Sequence, residues 1–339
     1  METLDGLTPS GNKPRSLSVW LDQESNEAPL HLWIHPPAEE PGGGWEIRLN
    51  PKTLFECLER VTAEEPYDST TVGPVPRSLS EFYRLPWSLR ALNRYAQFAT
   101  NAAWDIGNKL SMYNDAKTAF EASADDKSHV EAFQEIFRNL KGYWQVFRPL
   151  KEPDHWPPEK ILASLREIAT DVGRASRLSL RTLQPRKDRE RLDRCLEHLR
   201  YIKPRKHGDF PDMTVSKFLH FFNPNLFPIF DTAVVWNEVF SAFGGEYATF
   251  CAQSGVEAVW PGGNGFYRNY VCWAASFIGG AEANFMADFA VWFDAQTRGI
   301  ADPCGIRADL KSHEATAFEF VAIGAAKLIK DEDSSDPPS

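Results

Sequence analysis

Apolar and polar residues alternate over three short stretches near the amino end of the chain, SLSVWL, PLHLWIH and GWEIRLN, within residues 17–62. Such period-two alternation, bounded by Pro- and Gly-rich turns, predicts half-buried strands. A short helix is expected over Pro51–Val61, with proline in its first turn. From about Ser80 the period changes. Leu92, Tyr95, Ala99, Ala103, Ile106 and Leu110 fall three and four apart, as do Phe133, Ile136, Leu140, Trp144 and Phe147, and again Ile161, Leu165, Ile168 and Val172, with Gly173 a natural stop. This spacing lines one face of an α-helix. A charged helix is expected over Arg186–Tyr201, and further helices over about 213–222, 232–243, 246–254, 265–278, 283–298 and 308–329. The expected architecture is therefore mainly α: a leader at 1–16 expected to be disordered, a small β-rich region at 17–62, a linker at 63–79, an all-α domain at 80–330 and a disordered acidic tail at 331–339.

Composition narrows the class. At 339 residues, 42% hydrophobic and 25% charged, the chain has the balance of a globular protein. Its 23 Phe and 11 Trp predict a core built largely from rings. No run of apolar residues is long enough to span a bilayer, and METLDGLTPSGNKPRS has no secretory pattern. Five scattered cysteines, Cys57, Cys195, Cys251, Cys272 and Cys304, predict reduced thiols and a cytoplasmic setting rather than a CxxC metal site. The histidines form no HExxH pair, so neither metal nor cofactor is called for. The net charge of −10 argues against wholesale coating of nucleic acid or anionic membrane. It is uneven, however: Arg174–Lys206 holds twelve Lys or Arg against four Asp or Glu. This basic island fits either a phosphate-facing patch or a solvated helix face with internal ion pairs.

The stretch with the most chemical content is DMTVSKFLHFFNPNLFPIFDTAVVWNEVF, residues 212–240. Val215, Phe218, Leu219 and Phe222 form the buried stripe of a short helix. Lys217 lies about 160–200° from that stripe, beside Met213, His220 and Phe221. Asn223-Pro224 ends the helix. Asp231 then stands where an N-cap belongs, ahead of TAVVWNEVF. A helix N-terminus disfavours an ammonium and favours a carboxylate, so the placement predicts a Lys217 amine of lowered pKa and an ionised Asp231. A neutral lysine is a nucleophile, and a nearby carboxylate can stabilise a developing oxocarbenium ion. The same two residues also fit a purely structural reading, a solvated lysine and a helix cap worth about 1 kcal/mol.

The run P-I-F-D-T-A-V, preceded by a helix beginning S-K-F-L, resembles the helix-hairpin-helix DNA glycosylase superfamily, especially its 8-oxoguanine glycosylase branch, and also bacterial proteins bearing SKxLHFxxPxLFPIxD-type segments. The resemblance covers about 25 of the 339 residues. It implies that Lys217 attacks the sugar C1′ to form a Schiff base and that Asp231 assists. It further implies DNA as the partner, Lys203, Arg205 and Lys206 as phosphate contacts, and His220, Phe221, Phe230 and Trp236 around a flipped base. The Gly-rich hairpin that precedes the lysine in that superfamily is replaced here by KHGDFPDMTVSK, and lysine and aspartate stand closer together along the chain than in typical members. The alternative is a helical protein without enzymatic activity that binds nucleic acid or another protein. Elsewhere, WPGGNGFYRN at 260–269 lacks the Lys-Ser/Thr of a P-loop and reads as a turn, with Asn264 expected to cap the next helix, and no GxSxG elbow occurs.

Overall fold

The computed structural model describes residues 74–101, 106–121, 158–199 and 211–335, a few positions between 131 and 138, and the backbone of four short segments before residue 50. The chain divides into two units, Met1–Pro74 and Val75–Ser339. The second is mainly helical. A 3-10 turn at Leu79–Tyr83 leads into α1 (Trp87–Asn101) and α2 (Ile106–Glu121); α3 (Pro158–Glu167) is followed by a short turn of helix, Ala169–Val172. Then come α4 (Arg189–His198), α5 (Pro211–Phe222), a π-helical segment Thr232–Phe240 that runs directly into α6 (Ser241–Gln253), α7 (Phe266–Gly280), α8 (Phe285–Gln296) and α9 (Glu314–Ser335). Among the described residues no helix is long and apolar enough to cross a membrane.

α9 lies at the centre. Ala315, Ala317, Phe318, Phe320, Val321, Ala322, Ala325 and Ala326 are all buried, so it is covered on nearly every side. Its most extensive neighbour is α1. The two backbones come so close that a Cβ on Gly324 would collide with the Ala91 carbonyl oxygen, a clash that only glycine avoids. The ring-rich composition is concentrated here and on α7: Tyr83, Phe277 and Phe318 stack, while Tyr270 and Trp273 pack edge-on to Phe318.

Three local expectations are revised. α9 runs to Ser335, past the end expected from apolar spacing, because its acidic last turns have partners: Arg94 bonds Asp331 at 2.6 Å, and Arg77 reaches Glu332 at 3.0 Å and Asp333 at 2.8 Å. The N-cap position of α7 is held by Gly265, at φ +89°, and not by Asn264. Finally, the helix after Asp231 opens as a π-helix, with Trp236 N–H donating to the Asp231 carbonyl at 2.9 Å, one residue further than an α-helical bond.

Candidate active site

α5 is the first surprise. The stripe Val215, Phe218, Leu219 and Phe222 is buried as expected, but so is the opposite side: Thr214, Ser216, Lys217, His220 and Phe221 are all inside, with Lys217 only 6% exposed. The solvated lysine face expected of an amphipathic helix does not exist, because α2 and α7 also pack on α5.

A buried helix carrying polar groups must satisfy them, and α5 does so on the connection that follows it. After Asn223, whose amide donates to the carbonyls of Val172 (2.9 Å) and Leu178 (3.2 Å), the chain turns and runs through Phe227–Phe230 as neither helix nor strand. This stretch has no strand beside it among the described residues, so side chains take the place of a ladder. His220 Nδ1 bonds the Phe227 carbonyl at 2.7 Å, Tyr267 OH donates to the Pro228 carbonyl at 2.8 Å and Tyr270 OH to the Ile229 carbonyl at 3.2 Å. Ile229 N–H donates to Glu319 Oε1 at 2.6 Å. Ser216 Oγ accepts from Phe230 N–H at 3.0 Å and lies 3.1 Å from the Phe230 carbonyl. This serine clamp holds the residues next to its two ends, Lys217 and Asp231, on neighbouring elements.

Asp231 closes the stretch as an N-cap. Its Oδ1 accepts from Val234 N–H at 2.6 Å and from Val235 N–H at 3.3 Å, while Oδ2 makes no hydrogen bond among the described residues. Burial lowers the pKa of the Lys217 amine; the carboxylates of Asp231 and Glu319 oppose that fall, and Lys109 adds to it. Two lysine side chains and two carboxyl side chains thus share one buried cluster. Its other half is a direct ion pair, Lys109 Nζ to Glu319 Oε2 at 3.0 Å, with the two side chains 3% and 4% exposed. The Lys109 charge also stands 4.7 Å above the centre of the Phe320 ring, a favourable cation–π placement. Burial acts to raise the Glu319 carboxyl, but Lys109 and His220 outweigh it and hold it below the usual range.

His220 has both ring nitrogens engaged. Nδ1 faces two acceptors, the Phe227 carbonyl and Glu319 Oε1 (3.0 Å), so it carries the hydrogen. Nε2 then accepts from Tyr113 OH at 2.6 Å, and Tyr113 OH in turn pairs with Thr316 Oγ1 at 2.7 Å. Burial lowers its pKa and keeps it neutral. Phe221 and Phe230 are fully buried, Phe221 against Tyr113 and Phe230 against Phe266. Trp236 alone of the expected base-contacting rings is partly exposed, and it meets the 43% exposed Trp260 edge-on at 6.0 Å. Lys203, Arg205 and Lys206 lie outside the described residues. Among the described residues no group of three or more His, Cys, Asp or Glu could hold a metal ion.

No known relative carries the assignment. Comparison with protein-family models, with curated proteins and with solved structures finds no match to this chain. The site has to be judged on its own chemistry. The cluster holds Lys217 and Asp231, which the sequence singles out, and Lys109, Ser216 and Glu319, which it does not. A signal for Glu319 was present: it is a lone carboxylate in the apolar run ATAFEFVAIGAA, and a charge there must be paired.

Proposed function

We propose that the chain is a DNA glycosylase-like enzyme in which Lys217 is the nucleophile and Asp231 the assisting carboxylate. What carries the reading is that burial strips water from the Lys217 amine and lowers its pKa within electrostatic reach of Asp231, whose Oδ2 bonds none of the described residues. A neutral amine at C1′ displaces the base with the pair of electrons of the N-glycosidic bond, and the departing base takes up a proton. Loss of a proton from nitrogen and opening of the C1′–O4′ bond then leave an imine between Lys217 and the sugar. Asp231 stabilises the positive charge that develops on the sugar. Trp236 and Trp260 are the accessible rings for a base taken out of the stack.

Borohydride reduction should couple the wild-type protein covalently to DNA holding an abasic site or the substrate base. Lys217→Gln should abolish the adduct, and Asp231→Asn should slow its formation by about 10²-fold or more. A second reading, a helical protein without catalysis that binds nucleic acid or another protein, is favoured by one observation: Asp231 Oδ1 is already committed to the cap. In that case Lys217→Gln traps no less than wild type.

We also read residues 17–62 as a small β-bearing region ahead of the helical domain. Backbone pairing supports it: Glu2–Leu7, Arg15–Leu21, Leu30–Ile34 and Trp45–Leu49 bond antiparallel in sequence order. On this reading the region reaches into the segment taken for a leader.

A further inference from the structure

Two recesses meet on the surface formed by residues 176–191, α6 and α7. The larger, about 650 Å³, has Leu183, Phe250 and Val256 as apolar lining and Arg186, Lys187, Arg189 and Arg268 as its charges. The smaller, about 370 Å³, is lined by Ser176, Arg177, Thr182 and Arg191 among others. Gln184 and Lys187 line both, so the two recesses adjoin there and are treated as one groove with Lys187 between its halves. Carboxylates are scarce there. Arg189 and Arg268 share Asp193, at 4.0 and 2.7 Å, and Arg191 takes Asp188 at 3.1 Å. Arg177, Arg186 and Lys187 make no ion pair among the described residues. The larger recess falls within the size range of ligand sites.

We propose that this groove binds a segment of single-stranded nucleic acid, with successive phosphates at Arg177, Lys187 and Arg186 and one base on the half-buried Phe250 ring. Two adjoining stations for anions fit a chain of phosphates, whereas a single nucleotide fills only the larger. Every unpaired base has a face to offer the ring, which a base inside a duplex does not. The chain's net charge of −10 opposes general adhesion to polyanions, so binding must be local to this surface. α7 gives the groove a relation to the candidate active site: it turns Arg268 and Asn269 toward the groove and bonds the Pro228 and Ile229 carbonyls with Tyr267 and Tyr270. Binding here does not depend on Lys217 chemistry.

Fluorescence anisotropy of the full chain, over a salt series, tests this with a labelled 12-nucleotide single strand, the matching blunt duplex and a mononucleotide competitor. The single strand should bind tighter than the duplex, and the mononucleotide should compete poorly. Arg186→Glu with Lys187→Glu should weaken binding at least ten-fold and flatten the salt dependence, by about 0.7 in slope for each phosphate no longer neutralised. Phe250→Ala should weaken it about five-fold or more with the slope unchanged. Lys217→Gln should bind as wild type, so loss of trapping and loss of groove binding are separate results. Both charge reversals are on exposed side chains, and unchanged urea midpoints would confirm that the fold survives. Equal affinity for duplex and strand, full competition by the mononucleotide, or silence of the charge reversals overturns the proposal.

Discussion

At the scale of single residues, burial decides which titrations matter. Asp212, in the first turn of α5, has its carboxyl pushed up to about 6 by burial, against a backbone hydrogen bond from Gly262 that works the other way. A folded-state pKa above the unfolded value means the folded chain holds the proton longer. The contribution to stability is therefore full at low pH and is lost as pH rises from about 4 to about 6. Replacement by a neutral isostere removes that penalty. Asp212→Asn should raise stability at pH 7 by about 1–2 kcal/mol in urea unfolding, and the gap should close near pH 4. A variant less stable than wild type at pH 7 would contradict this account of Asp212. The helix stripe and the cap at Asp231 were legible at this scale because each depends on residues a few positions apart. The fate of Lys217 was not, since its burial depends on packing by elements remote in sequence, α2 and α7 among them.

Among elements, the junction of α5, the Phe227–Phe230 connection and α9 depends on paired buried charge. Glu319 receives Lys109, His220 and the Ile229 N–H at once. Removing one partner leaves a desolvated charge, which costs more than the pair contributes. Lys109→Met should thus destabilise the chain by about 3–5 kcal/mol, and the double variant Lys109→Met with Glu319→Gln by less than the two singles added. Additive losses in urea unfolding would show that the two side chains act separately. Helix positions were readable from spacing, and most of α5, α7 and α8 begin and end within a few residues of expectation. The π-helical start at Thr232 was not, because π-turns are rare departures within helices and TAVVWNEVF reads as an ordinary helix start. The wider turn shows in the Trp236 to Asp231 bond and continues through Thr232–Phe240.

At the scale of the whole molecule, the mainly helical character followed from the change of period near Ser80. The central place of α9 did not. It rests on Gly324 meeting Ala91 and on Arg94 and Arg77 gripping the last turns, contacts between residues more than two hundred positions apart. The same long-range packing places two lysines and two carboxyl side chains in one buried cluster, so the reactivity assigned to Lys217 is a property of the folded chain and must vanish with it. Heteronuclear NMR titration of the Lys217 amine, identified by its loss in Lys217→Gln, compares the folded chain with the chain in urea. A pKa below the ordinary 10.5 when folded, returning to that value on unfolding, is the expected result. An amine that titrates at the ordinary value in the folded protein would contradict the proposed nucleophile.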